Sequence, residues 1–354
     1  DPQFMKPITV ITAFYYFWQG QHQATINTYE ESLQDVEQSP KGLFPLFAQV
    51  NIAFSYSAIG QFNRALGMMD SIRAHSLKIE RYDVVGLVQM WIGYILLGIG
   101  RLDEVYDQIT TFNKEIEQHM EPPLQANLTL MSAYVCYLRS DWTQSVEYLK
   151  KYLNIIDQQS EPRPPSVALI HLCWAMEQEG YPRVGSLSLE AEIENGLNSG
   201  NIMDIGFAYR FKSFSQTNNQ ESKENIAETL RLSLECFEKS GHQLEIARTK
   251  TYLANHYLGI DDDDKATALA KEAADVFASF PDLSFPDDLK RLIKTDIPEP
   301  SLLEEILLMG LQLATIRDNG ELVRHIVTTI NRITGAERGA IFLLEKEPSK
   351  KEFT

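Results

Sequence analysis

Three stretches of this chain contain residue types that occur at cofactor and metal sites. Gly98-Ile-Gly100 is similar to part of a dinucleotide-binding loop, but no predicted strand precedes it. His171 and Cys173 have metal-ligating side chains, but a spacing of two residues places them on different faces of a helix. The aspartates at 261–264 lack the alternating spacing and the glycine of a calcium loop. We therefore predict no metal and no cofactor.

Motifs of the common enzyme classes are missing as well. The sequence contains no Walker A loop, no HExxH, no GxSxG and no cluster of His and Cys at metal-binding spacing. The four aspartates at 261–264 are better explained as turn residues and helix N-terminal charges, which interact favourably with the helix dipole. We predict that this chain has no catalytic residues and is not an enzyme.

A row of aromatic residues is the best candidate for a binding surface. The aromatics recur every 40 residues at Phe14, Phe54, Tyr94, Tyr134, Trp174 and Phe214. Apolar residues precede five of them by four positions, at Val10, Val50, Met90, Leu130 and Ile170. Residues four apart lie on one face of a helix, so the two sets form a single stripe. The stripe either lines a groove for a partner or packs helix against helix between repeats.

The elements that carry this stripe are repeats, which begin at residues 6, 46, 86, 126, 166, 206 and 247. Position eight of each repeat is small, and position fifteen ends a helix. A small residue lets two helices approach closely, and glycine supplies a left-handed turn. Position eight is Ala13, Ala53, Gly93, Ala133, Cys173, Ser213 and Ala254. Position fifteen is Gly20, Gly60, Gly100, Ser140, Gly180, Gln220 and Asp261.

The spacing of prolines and apolar residues predicts that each repeat is a pair of helices. Proline is favoured in the first turn of a helix, and Pro7, Pro45, Pro123 and Pro165 each lie where a first helix should start. Second helices such as 143–157 are amphipathic, with a single apolar stripe. We therefore predict an all-α fold of about seven helix pairs with a 40-residue period.

The segments NIAFSYSAIGQFNRA (51–65) and YLANHYLGIDDDDKA (252–266) resemble the tetratricopeptide repeat (TPR), whose usual period is 34 residues. The longer period, and the segment 234–257, are similar to TPR-like regions of large bacterial signalling proteins. The resemblance covers residues 6–280 and implies a right-handed superhelix with the aromatic row on its inner groove. Some TPR proteins place Lys and Asn there to bind a carboxylate. This chain has apolar residues instead, so we expect no such clamp.

The pattern changes after Phe280. Residues 281–300 contain four prolines and four aspartates and are predicted to be a linker. Ser301 and Glu304 then form a capping box, which predicts a helix over 301–317. This helix either packs on its own domain or is a dimerising signalling helix. Its apolar residues follow a heptad spacing: Leu302, Ile306, Met309, Leu313 and Ile316.

The last segment, 321–354, is predicted to contain an amphipathic helix over 321–334 and a strand over 339–344. The run ELVRHIVTTINRITGAERGAIFLLEKE resembles the first helix and first strand of a GAF domain, a small-molecule-sensing or dimerisation module of bacterial regulators. The resemblance implies a short, truncated α/β end. Residues 1–5 precede the repeats and resemble a cloning remnant, so we expect them to be disordered.

Composition limits the partners. Lys and Arg total 32 and Asp and Glu total 49, so the net charge is −17. So acidic a surface repels phosphate backbones, and we expect no direct binding of nucleic acid. Three widely spaced cysteines without a CxxC pair fit a reducing cytoplasm. The apolar run 8–18 is short for a membrane span, so we expect no membrane association.

These observations predict a non-catalytic sensory and protein-interaction region of a cytoplasmic bacterial regulator of signal transduction or transcription. It would bind a peptide, a protein helix or a small-molecule effector in its groove. Helix 301–317 would relay the signal to a GAF or output module and could join two subunits in a homodimer. By resemblance, the intact protein carries a kinase or ATPase module upstream. The alternative is a scaffold or adaptor that binds partner proteins without sensing a ligand.

Overall fold

A computed structural model describes residues 2–34, 45–110, 121–158, 163–280 and 282–293. These residues form fifteen helices and, within those ranges, no strand. The prediction of an all-α fold is therefore confirmed for the described part of the chain. The predicted helix 301–317 and the GAF-like segment 321–354 lie outside the described residues.

Fourteen of the helices form seven consecutive pairs. The first helices are α1 (Pro2–Trp18), α3 (Leu46–Ala58), α5 (Tyr82–Gly98), α7 (Pro122–Leu138), α9 (Val167–Gln178), α11 (Ile202–Asn218) and α13 (Gln243–Leu258). The second helices are α2 (His22–Gln34), α4 (Phe62–Lys78), α6 (Leu102–Thr110), α8 (Trp142–Ile156), α10 (Leu189–Leu197), α12 (Lys223–Ser240) and α14 (Asp263–Phe277). A short helix, α15 (Asp287–Ile293), follows them.

Each first helix packs against its own second helix. Each first helix from α1 to α9 also packs against the next first helix in the chain. The buried apolar residues lie between these elements in large clusters. One extends from Ala13 to Val135, and another from Ala126 to Phe211.

The residue at position fifteen has a left-handed backbone in every repeat, as predicted. The φ angles are +72° at Gly20, +86° at Gly60, +89° at Gly100, +63° at Ser140, +70° at Gly180, +55° at Gln220 and +59° at Asp261. Three of these residues are not glycine, although a left-handed conformation costs an L-residue roughly 1–2 kcal/mol. The turn geometry is therefore kept even where the residue type disfavours it.

Position eight is buried in every repeat, and its six residues with side chains are each at most 2% exposed. The glycine in the series shows why size matters. A Cβ atom on Gly93 would overlap the Met131 side chain on α7 and lie 3.7 Å from Val105 on α6. A small residue at this position therefore lets a first helix touch two neighbouring helices at once.

Side-chain caps begin several of the second helices. The Asp141 carboxylate accepts a hydrogen bond of 3.0 Å from the Gln144 amide at the start of α8. The Asp262 carboxylate accepts one of 3.3 Å from the Lys265 amide at the start of α14. Capping satisfies amide groups that have no partner within the helix. The aspartates at 261–262 are thus turn and cap residues, as the sequence predicts.

The structure differs from the sequence-based boundaries at three places. Helix α1 begins at Pro2, so Pro7 lies inside it rather than at its start, and residues 2–5 are helical. Residues 179–188 form a longer connection in the fifth pair than the tight turns of the other pairs. Helix α15 lies within the predicted linker 281–300 and buries Leu289 and Ile293 against the last pair. The first compact unit accordingly ends at Ile293 rather than Phe280.

Pairs that are far apart in the chain contact each other. The Ile202 amide donates a hydrogen bond of 3.1 Å to the Gln19 carbonyl, which joins the first turn to the start of α11. The Phe62 and Phe280 rings lie 5.0 Å apart, edge to face. The first two turns therefore lie beside the sixth pair and the end of the seventh.

Two glycines with the same backbone conformation provide a test of these long-range contacts. A Cβ atom on Gly20 would lie 2.8 Å from Asn201 Oδ1, whereas one on Gly180 would have no neighbour within 4 Å. We expect Gly180→Ala to lower the free energy of unfolding by about 1–2 kcal/mol through backbone strain alone. Gly20→Ala should cost about 1–3 kcal/mol more, because it also displaces Asn201. Denaturant unfolding measures both variants, and equal losses would contradict the contact.

Candidate functional site

The aromatic row lies on successive first helices and keeps part of its surface exposed. All six aromatic residues at position nine are half-buried. The apolar residues four positions earlier are deeper: Val50, Met90, Leu130 and Ile170 are each at most 5% exposed. Val10, in the first helix, is half-buried. The predicted stripe thus has a buried half in the core and an aromatic half that remains partly accessible.

The rings of this row contact the next first helix at its position six, a position that the sequence analysis did not consider. Ring centroids lie 4.3 Å apart for Phe54 and Trp91, and 4.8 Å apart for Phe214 and Tyr252. The Tyr134 ring lies 5.2 Å from the His171 ring, and its hydroxyl lies 3.3 Å from Nδ1 of that histidine. The row therefore joins neighbouring repeats as well as presenting ring surface.

A buried ion-pair network breaks the apolar pattern in the sixth repeat. Position five of that repeat is Arg210, which is 4% exposed. Its guanidinium donates hydrogen bonds of 2.6 Å to Glu245 Oε2 and 2.6 Å to Thr249 Oγ1. Sequence reasoning missed this site, although a charged residue where the other repeats are apolar was a usable signal.

A second arginine completes the network and connects it to a distant repeat. Arg248 donates one hydrogen bond of 2.6 Å to Glu245 Oε1 and another of 2.5 Å to the Gly98 carbonyl at the end of α5. Burial alone would raise the pKa of Glu245. The charges of Arg248 and Arg210 outweigh burial and hold the pKa of Glu245 well below its usual range. Two arginines and one glutamate leave one excess positive charge here.

Three histidines lie close to this network in neutral form. Burial and the neighbouring His242 lower the pKa of His22 to about 3. Burial also lowers the pKa of His171 to about 3 and that of His242 to about 4. His22 Nδ1 lies 3.1 Å from the Ser55 hydroxyl, and its ring lies 6.3 Å from the His242 ring. His22 and His242 therefore pack as uncharged groups between the first, second and seventh pairs, and His171 does so between Tyr134 and Phe211 of the fourth and sixth pairs.

Asp204 lies close to Tyr94, in the middle of the row, and forms no ion pair with any described residue. Burial, together with the charge of Asp204, raises the pKa of Tyr94 to about 12. Burial raises the pKa of Asp204 itself to about 7. The Tyr94 phenol is therefore neutral at ordinary pH, and Asp204 titrates near neutrality.

The remaining candidates of the sequence analysis do not assemble into a site. Cys173 is buried in the core, whereas His171 packs against the Phe211 ring at 4.5 Å. Across the described ranges, no group of three or more His, Cys, Asp or Glu side chains is placed to hold a metal ion. None of the helices described is both long and apolar enough to cross a bilayer. The predicted dimerisation residues, Leu302, Ile306, Met309, Leu313 and Ile316, lie outside the described residues.

Comparison with known proteins adds no family assignment. No protein-family model matches this chain, and no curated protein matches it. The resemblance to TPR and GAF domains therefore stays a prediction.

The neutral histidines predict a loss of stability in acid. The unfolded chain takes up a proton at His22 near its ordinary pKa of about 6.5, but the folded chain does not until about pH 3. The free energy of unfolding should therefore fall as the pH drops from 6.5 to 4.5, by about 2.3 kcal/mol for His22 alone. Denaturant unfolding at both pH values measures this effect. The fall in the free energy of unfolding should be smaller in His22→Gln than in the wild type by that amount.

His75→Gln is the matched control, because His75 is exposed on α4. This control should keep the full acid-dependent decrease of the wild-type protein. A decrease in His22→Gln as large as that of the wild type would contradict the assignment of a buried, neutral His22.

Proposed function

We propose that residues 6–280 form a right-handed, TPR-like superhelix. Two observations support it. The small and left-handed positions recur with a 40-residue period through seven helix pairs. The turn of the first pair also contacts the start of the sixth: the Asn201 side-chain amide donates a hydrogen bond of 3.0 Å to the Trp18 carbonyl. An array that returns to its own first turn after five pairs follows a superhelical path.

The inner face of this superhelix is the proposed binding surface. The observation that carries the proposal is the contrast within the stripe, where position five is buried in every repeat after the first and every aromatic residue of the row keeps exposed surface. Large aromatic side chains are frequent anchors for protein partners, and an amphipathic helix binds by placing apolar side chains in such a groove. The proposed partner is an apolar peptide, a protein helix or a small apolar effector.

In this proposal the chain is a non-catalytic sensory region of a cytoplasmic bacterial regulator. Occupation of the groove changes the packing of the first helices, and helix 301–317 relays that change to a GAF-like module. The acidic net charge of −17 supports a protein or small-molecule partner rather than a nucleic acid. The scaffold alternative uses the same groove for a protein partner alone.

A thermal-shift screen of amphipathic helical peptides and small apolar ligands tests the groove. A ligand at 100 times its dissociation constant should stabilise the protein by about 2.7 kcal/mol. Tyr94→Ala and Trp174→Ala should each abolish that shift, measured against the variant's own unfolding temperature, because both rings belong to the row. Binding of peptides without any small ligand would favour the scaffold alternative.

Tyr15→Ala is the matched control for these variants. Tyr15 is 60% exposed on α1 and lies outside the row. It should therefore leave the ligand-induced shift unchanged. The groove proposal fails if no probe stabilises the protein, or if Tyr15→Ala weakens binding as much as Tyr94→Ala does.

The dimer proposal has its own test, for which the structure sets the truncation point. A chain ending at Ile293 keeps α15, whose Leu289 and Ile293 are buried. We expect light scattering to show a dimer for the full chain and a monomer for residues 1–293. In the full chain, Leu313→Lys should dissociate the dimer and the neighbouring Gln312→Lys should not, because only residue 313 belongs to the heptad seam. An unchanged oligomer after truncation would refute the dimer helix.

A further inference from the structure

The longer connection in the fifth pair builds a small pocket at the turn edge of the array, where the Tyr137 ring lies 6.4 Å from the Tyr134 ring of the aromatic row. The pocket lies between the α7–α8 turn and the α9–α10 connection and has a volume of about 210 Å³. It is lined by Tyr137, Leu138, Ser140, Trp142, Glu179 and Tyr181. Half of these residues are aromatic, and one carries a charge.

The aromatic rings of the pocket hold one another in place. The Trp142 and Tyr181 rings are stacked, with centroids 4.2 Å apart and an angle of 15° between their planes. The Tyr137 ring lies 6.1 Å from the Trp142 ring, edge to face. Tyr181 follows the left-handed Gly180, so the departure from a tight turn is what brings this ring onto Trp142.

A carboxylate is fixed beside these rings. The Tyr137 hydroxyl donates a hydrogen bond of 3.1 Å to Glu179 Oε1. A hydrogen bond to the same carboxylate raises the pKa of Tyr181. The Tyr137 hydroxyl, from the fourth pair, thus orients the exposed Glu179 at the end of α9. A carboxylate has about four lone-pair positions, so acceptor capacity remains for a further donor.

The charge of the pocket is negative. Glu179 is the one charged residue among the six that line it. Two arginines lie close in sequence to lining residues, but neither lines the pocket. Arg139 pairs with Asp103 and lies 4.2 Å over the Tyr106 ring, whereas Arg183, four residues after Glu179, is exposed. The whole chain has a net charge of −17, which adds a long-range attraction for cations.

The size and chemistry of the pocket define a narrow class of ligand. A volume of about 210 Å³ is below the range of about 300–1,000 Å³ that drug-sized ligands occupy, so it fits a head group or one side chain. Aromatic rings attract cations through their negative faces, and rings combined with a carboxylate bind alkylammonium groups. A neutral apolar ligand would leave the negative charge of Glu179 without an opposite charge in the pocket.

We propose that this pocket binds a small organic ammonium cation, with its charge against Glu179 and its alkyl groups against Tyr137, Trp142 and Tyr181. Two sources share this chemistry: a free quaternary ammonium compound and the lysine side chain of a partner protein. None of the six lining residues belongs to the aromatic row, so the test of this pocket does not depend on the groove proposal.

Choline is the probe for the first source, and Nα-acetyl-lysine methylamide is the probe for the second. The full chain contains four tryptophans, at 18, 91, 142 and 174, and each has an indole N–H signal in a ¹H–¹⁵N NMR spectrum. We expect the Trp142 signal to shift in a saturable way, with a dissociation constant on the order of 1 mM, as befits a ligand of few atoms. The other three signals are internal controls and should not move. The tighter-binding probe identifies the source.

Four comparisons separate the contribution of the Glu179 charge to binding from that of the aromatic rings. The uncharged isostere of choline, 3,3-dimethylbutan-1-ol, should bind at least tenfold more weakly to the wild-type protein. Glu179→Gln and Tyr181→Leu should each weaken binding of the better probe at least tenfold. Glu177→Gln, which removes an exposed carboxylate two residues away, should leave binding unchanged.

Several outcomes would overturn the proposal. These are no saturable shift of Trp142 with either probe, equal binding of choline and its uncharged isostere, or equal losses in Glu177→Gln and Glu179→Gln. The isostere comparison uses the wild-type protein alone, so it decides the matter even if a variant fails to fold.

Discussion

The left-handed residue at the end of each first helix is the constraint on which the whole array depends. Outside the fifth pair it reverses the chain within three or four residues, so the second helix can pack against the first. The same backbone conformation occurs in all seven repeats, with φ between +55° and +89°. Ser140, Gln220 and Asp261 adopt it although each pays a conformational cost. Packing of the paired helices must exceed that cost, because the turn is retained without glycine.

Given these turns, the contact between successive first helices determines which side chains are buried. Small residues at position eight allow close approach, and position-nine rings pack on position six of the next helix. A residue of the row therefore contributes to stability and presents surface at the same time. The two interpretations of the stripe are thus not exclusive, since a half-buried ring can both join two repeats and contact a partner.

The Arg210–Glu245–Arg248 network joins the sixth pair to the seventh, and the seventh pair to the end of α5 in the third. Desolvating three charges is costly, and a buried ion pair often contributes little net stability. Its geometry is directional, however, since Arg248 reaches the Gly98 carbonyl, 150 residues earlier in the chain. Apolar side chains could fill this space, but they would not fix how α11, α13 and α5 are aligned with one another. The fifth pair is irregular in another way. Its two helices are joined by the longer connection 179–188 instead of a tight turn, and this connection forms the pocket lined by aromatic rings and Glu179.

The sequence alone determined the helix pairs, the buried position eight and the left-handed position fifteen, because these are local requirements of backbone and size. It predicted the burial of Val50 and Leu130 only as one alternative, since periodicity shows which residues share a face but not what that face meets. The tertiary structure decided the Arg248–Gly98 contact, the neutral state of His22 and the stacking of Tyr181 on Trp142. Each depends on small rotations between successive pairs, which add up over many residues and leave no local pattern in the chain.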